Sequence, residues 1–174
     1  MCEFLHKLRR GIFLGLAAGL LAACGTSSTA SHRAALAVVH GDGSVQTACV
    51  DFAQNEISGL ELLDGSGLDY RLDASNPMGA MVCSVAEEGC DFPSQTCLCQ
   101  CTLGQTCQYW AYFNRTAGAD WVYAVAGPSA RKVHDGDLDA WVWLTGDETD
   151  QAVPPALNGM SFDQICGPGG STSP

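Results

Sequence analysis

Five of the ten cysteines in this 174-residue chain fall within CDFPSQTCLCQCTLGQTC, residues 90–107. So sulfur-rich a stretch has few apolar side chains with which to build a core of its own. Its shape must come from cross-links, from a bound metal, or from a redox pair. Which applies depends on the compartment the chain occupies, and the N-terminus bears on that.

Lys7, Arg9 and Arg10 form a positive region, and Ile12 to Ala23 is an apolar run of twelve residues. Twelve is too short to span a bilayer and suits the apolar stretch of an export signal. The run closes on Leu21-Ala22-Ala23-Cys24, which resembles the bacterial lipobox. Residues 1–23 therefore read as a lipoprotein signal peptide. Residues 24–33 read as a lipidated Cys24 followed by a flexible tether, GTSSTAS at its centre. The expected product is a lipid-anchored (palmitate-bearing) protein on the cell membrane, facing outside the cytoplasm.

Without residues 1–23 the chain keeps five basic residues against eighteen acidic ones, a net charge of −13. Phosphate binding needs clustered Lys and Arg, so nucleic acid is excluded as a partner class. What remains is enough for one domain with a core.

Eight cysteines are left: Cys49, Cys83, Cys90, Cys97, Cys99, Cys101, Cys107 and Cys166. An even number in an exported chain points to disulfides, in any of 105 pairings. Adjacent cysteines of C-x-C point to opposite sides of an extended chain and more easily bond to separate partners. Zinc-type C-x2-C knuckles and a thioredoxin-type C-x-x-C are absent. No metal and no cofactor are expected. Residues 86–107 are read as a long loop stapled because it lacks a core.

Residues 34–40 and 45–52 read as a hairpin around Gly41-Asp42-Gly43-Ser44. Ser58 and Glu61 have capping-box spacing, and Ile57 and Leu62 that of a hydrophobic staple, so a short helix starts at Ser58 with Leu60 and Leu63 toward a core. Further strands are expected at 68–72, 80–85, 108–114, 120–125 and 138–144. Asn76-Pro77 and Asp135-Gly136-Asp137 read as turns. After Asp150 a tail rich in Pro and Gly, 151–174, has one sticky point at Ile165-Cys166; a bond to Cys166 would pin it to the body.

Strand alternation adds a constraint. Trp110 and Tyr112 share a side of their strand, as do Trp121 and Tyr123, and Trp141 and Trp143. If the strands are neighbours, six aromatics lie on one face and smaller side chains on the other. The short helix is expected on the smaller face. The aromatic face is then either covered by the Cys-rich loop and the tail, or left open in part as a platform for a flat or amphipathic ligand. The six aromatics are the candidate ligand-binding residues.

The order of hairpin, "SGLELL" helix, "MGAMVCSV", "YWAYFN" and "VHDGDLDAWVW" resembles the transcobalamin-like C-terminal domain family over residues 34–146. Arg115, where that family often has Gly, and the Cys-rich insertion are departures. The resemblance implies an α+β fold: a β-grasp-like mixed sheet with one short helix, here spanning 34–150 and carrying the disulfide-stapled loop. It also implies a small-molecule ligand of corrinoid type.

No G-x-S-x-G or H-E-x-x-H occurs, and Asp135, Asp137 and Asp139 lack the Gly and Glu that would complete a calcium loop. No catalytic residue is assigned and the chain is not read as an enzyme. The leading expectation is a membrane-anchored protein that binds a small amphipathic ligand, such as a corrinoid, for delivery to an importer. The alternative is a structural or adhesive module that docks a partner protein.

Overall fold

The computed structural model describes residues 31–75, 79–101, 106–146 and 152–168. The expected signal peptide, the expected lipidation site Cys24 and the expected turn at Asn76-Pro77 lie outside the described residues. Among those described, no helix is long and apolar enough to cross a membrane.

In chain order the elements are β1 (His32–Val39), β2 (Val45–Phe52), β3 (Ile57–Ser58), α1 (Gly59–Gly65), β4 (Tyr70–Asp73), β5 (Met81–Val85), β6 (Glu88–Gly89), β7 (Cys107–Arg115), β8 (Val122–Tyr123), β9 (Lys132–Val133), β10 (Leu138–Gly146), a 3-10 turn at Pro155–Leu157, and α2 (Phe162–Cys166). The main sheet has the order β2-β1-β10-β7-β8. Its central pair, β1 and β10, is parallel, and the flanking pairs are antiparallel. With α1 across one face this is a β-grasp arrangement, the expected α+β class. Two smaller sheets accompany it: β3-β9, and β4-β5-β6, which carries the Cys-rich arm.

Alternation assigns the two faces of the main sheet. Leu36 and Val38 of β1, Val50 and Phe52 of β2, Trp110 and Tyr112 of β7, and Trp141 and Trp143 of β10 join Leu62 and Leu63 of α1 in one buried cluster. The opposite face presents Ala37, Val39, Ala111, Phe113, Ala140 and Val142, covered by Leu157, Val153 and Met160 of the tail. Ile165 and Cys166 of α2 pack beside Ala35 and Leu138.

Three expectations are corrected here. The helix lies on the aromatic face and the tail on the smaller one, the reverse of the expected layering: large rings fill the depth that a two-turn helix leaves over a sheet, while alanines let the thin tail lie close. Trp121 and Tyr123 do not share the face of the other four aromatics. Tyr123 pairs with Phe113 across the ladder, and directly opposed residues share a face, so both turn to the tail side. Within α1, Leu62 and Leu63 are fully buried rather than Leu60 and Leu63, because the staple partner of Ile57 faces inward.

The capping box of α1 forms as its spacing predicts, with Glu61 N–H donating to Ser58 Oγ and Ser58 N–H donating to the Glu61 carboxylate. The next free N–H groups, of Gly59 and Leu60, donate to Arg131 O and Pro128 O, both at 3.1 Å. A helix of seven residues cannot hold alone; these bonds and the burial of two leucines fix it.

All eight expected cysteines pair: Cys49–Cys166, Cys83–Cys97, Cys90–Cys99 and Cys101–Cys107. Each cysteine of the C-x-C-x-C run takes a different partner. The first bond spans 117 positions and ties the tail to β2; the next two lie within the arm, and Cys101–Cys107 joins the end of the arm to the start of β7.

Candidate cleft between sheet and arm

β10 and β7 set Trp141 opposite Tyr112 and Trp143 opposite Trp110. The Tyr112 and Trp141 rings stack at 4.5 Å with 15° between planes, and Trp110 and Trp143 meet tilted at 5.3 Å. β5 runs along this ladder. A β-bulge, where the register jumps from Arg71–Ser84 to Leu72–Val82, breaks its alternation, so Val82 and Val85 both lie in the main cluster while Met81 and Cys83 turn into the arm. A third segment returns over the ladder after β8, where Ala124 N–H donates to Tyr112 O at 2.8 Å.

These three walls border an open cleft of about 390 Å³, lined by Trp110, Tyr112, Trp141 and Tyr123, by Gly79 to Val82, and by Ala124 to Pro128. Four of the six aromatics expected to bind ligand thus meet at one site. Tyr123 reaches it from the other face because β8 is a two-residue edge strand. Trp143 is spent elsewhere, against Gly41, where an added Cβ would come within 2.8 Å of the indole. Trp121 packs on the tail side. The rings at the cleft are largely buried, so they present edges and partial faces rather than an open platform; Val125, at 90% exposed, marks the mouth. The indole N–H of Trp141 is buried without a hydrogen-bond partner among the described residues.

Behind the cleft lies a polar cluster that positions Tyr112. The Tyr112 hydroxyl donates to Asp139 Oδ2 in a short hydrogen bond. Arg131 reaches Asp139 Oδ1 at 3.3 Å and Asp137 Oδ2 at 2.8 Å. Asp137 also accepts from the N–H groups of Ala117 and His134. Both aspartates are fully buried. Burial pushes the Asp139 carboxyl up to about 6, although the Tyr112 hydrogen bond and Arg131 pull it down. Burial and the Asp139 charge push the Tyr112 phenol well above its ordinary value, so it stays protonated and donates. Gly59 makes the arrangement possible: a Cβ there would lie 2.2 Å from the Tyr112 hydroxyl oxygen.

The Asp135-Gly136-Asp137 turn forms, and its aspartates serve the fold. Asp135 accepts from Arg33 N–H at 2.7 Å, and the Arg131 guanidinium bridges Asp137 and Asp139. No cluster of three or more His, Cys, Asp or Glu suited to a metal ion occurs among the described residues. A second anchor holds the arm to the sheet. Glu88 accepts from His40 Nδ1 at 2.7 Å and from Gly41 N–H, and its backbone carbonyl accepts from the Trp110 indole at 3.1 Å.

The wall segments 79–82 and 124–128 escaped the sequence reading. Their only signal was the pairing of small residues with Gly and Pro in "MGA" and "AVAGP". A larger hollow of about 610 Å³ runs beside the edge strand β2, between Gln46 and Cys49 on one side and Ser66 to Asp69 and Ala86 to Glu87 on the other. It has no aromatic wall, and Asp69 and Glu87 are among its lining residues.

Comparison with known proteins gives two findings. A family model, the SCO2322-like domain, matches residues 103–173, from just before β7 to the tail. A crystal structure of a Ruminococcus gnavus protein, described provisionally as metal binding, is similar at 20% identity and a TM-score of 0.45, over 67% of this chain and 99% of that one. No curated protein sequence matches the chain.

Proposed function

We propose that this protein is an extracytoplasmic, lipid-anchored binding protein that holds a small amphipathic molecule in the cleft between sheet and arm, for delivery to an importer. The observation that carries this reading is the convergence of Trp110, Tyr112, Trp141 and Tyr123 on one cleft of about 390 Å³. That size and that mix of aromatic walls with a few polar tips are those of small-molecule sites. The likeness of residues 34–146 to the transcobalamin-like family supports binding over chemistry. A complete corrinoid exceeds this cleft and would rest only on its mouth; a body of two or three rings fits inside.

The test is a tryptophan-fluorescence titration with a panel of amphipathic compounds, cobalamin included, run in parallel on the Ala126→Phe variant. Ala126 is exposed and lines the cleft, so the larger side chain fills the cleft without entering the core. The reading expects at least one saturable ligand whose binding the substitution abolishes. No saturable ligand, or binding indifferent to the substitution, counts against it.

A further inference from the structure

We infer that the cleft selects an uncharged, elongated aromatic molecule; this deepens the binding reading above and rests on it. Among the described residues, the wall of the cleft contains no Lys, Arg, His, Asp or Glu. The same holds for an adjoining hollow of about 220 Å³. The two share Met81, Val82, Trp110 and Tyr123, so they adjoin, and a long molecule lying across both runs from Pro128 toward Leu98 past side chains that carry no charge.

Charge on the ligand finds no partner there. The ionic groups beside the cleft's walls are already bonded: Asp139 and Arg131 to one another behind the Tyr112 hydroxyl, and Glu88 to His40 next to Trp110. An anion would lose its water with no counter-charge supplied, in a chain whose formal net charge is −11. A cation would gain from that acidity at long range. Inside the cleft, however, stacking at 4.5 Å already occupies one face each of Tyr112 and Trp141, which halves the ring face those two could offer a cation. An uncharged aromatic body needs only apolar contact, which Met81, Val82 and the ring edges supply.

The experiment uses three dyes. N-phenyl-1-naphthylamine is neutral, 8-anilino-1-naphthalenesulfonate is the same skeleton with a sulfonate, and a naphthylalkyl trimethylammonium of similar length is cationic. Binding is measured by dye emission, and for the cation by displacement of the neutral dye. The oxidised full chain carries Cys24→Ser, which keeps acyl chains from taking up dye. The expected result is one saturable site for the neutral dye, at least tenfold weaker binding of both charged dyes, and loss of the site in Ala126→Phe. Should that variant fail to fold, Val125→Phe at the 90%-exposed rim replaces it. If either charged dye binds as tightly as the neutral one, the uncharged class is wrong while the cleft reading stands. If no dye binds, or binding ignores the cleft substitution, both fall.

Discussion

The five-stranded sheet and the Cys-rich arm meet along β5, and they are ordered by different means. The sheet's main cluster buries sixteen residues, leucines, valines and aromatics among them. The arm's cluster buries three, Cys83, Cys90 and Cys97, with Met81, Phe92 and Cys99 packed against them. One body is held by apolar burial and a cluster of buried ions; the other has sulfur where a core would be. The cleft sits on the seam, so its shape depends on both: the rings belong to the burial-stabilised side, and the β5 wall is fixed by the cross-linked side.

Four perturbations sharpen this contrast. Replacing Cys49 and Cys166 together by Ser opens a loop of 117 residues and should cost about 4 to 5 kcal/mol in denaturant unfolding, releasing the tail from its face of the sheet. The arm's bonds close spans of 14, 9 and 6 positions, so losing any one of them should cost less on the same measurement. Arg131→Ala leaves Asp137 and Asp139 buried without their counter-ion. It should lower stability by about 3 to 5 kcal/mol, and a midpoint within error of the parent would show that the cluster is not structural.

The third concerns pH. The Asp139 carboxyl titrates at about 6 when folded, above its ordinary 3.8, so the folded state holds that proton more tightly. Its contribution to stability is full below pH 3.8 and is lost as the pH rises to 6. The stability difference between the parent and Asp139→Asn should therefore change across that window, by at most ~1.4 kcal/mol per pH unit; parallel curves would refute the assignment. The smallest effect is expected for Ser58→Ala, which removes half of the α1 capping box and should cost about 1 kcal/mol.

Much of the architecture was legible in the sequence because local signals agreed. The hairpin, the Ser58 cap and the β7 and β10 strands all follow from spacing, and the even cysteine count made a bonded Cys166 an expectation. The facing of Trp121 and Tyr123 was not legible, because it depends on which residue of β7 stands opposite Tyr123, and a shift of one residue reverses every side. The layering failed for a related reason: nothing local states which face a seven-residue helix covers. At the site, the aromatics announced themselves by alternation. The partnership of Arg131 with Asp137 and Asp139 did not, since the aspartates read as a polar turn and their burial is a tertiary fact. The disulfide pairing likewise required the fold.

The most direct test of the seam as a binding site is hydrogen–deuterium exchange on the oxidised protein, with and without N-phenyl-1-naphthylamine. The account predicts added protection in residues 79–82 and 124–128, and loss of that protection after reduction while the exchange of β1 and β10 stays slow. Protection confined to residues 46–49 and 66–69, beside the edge strand, or an effect indifferent to reduction, would contradict it.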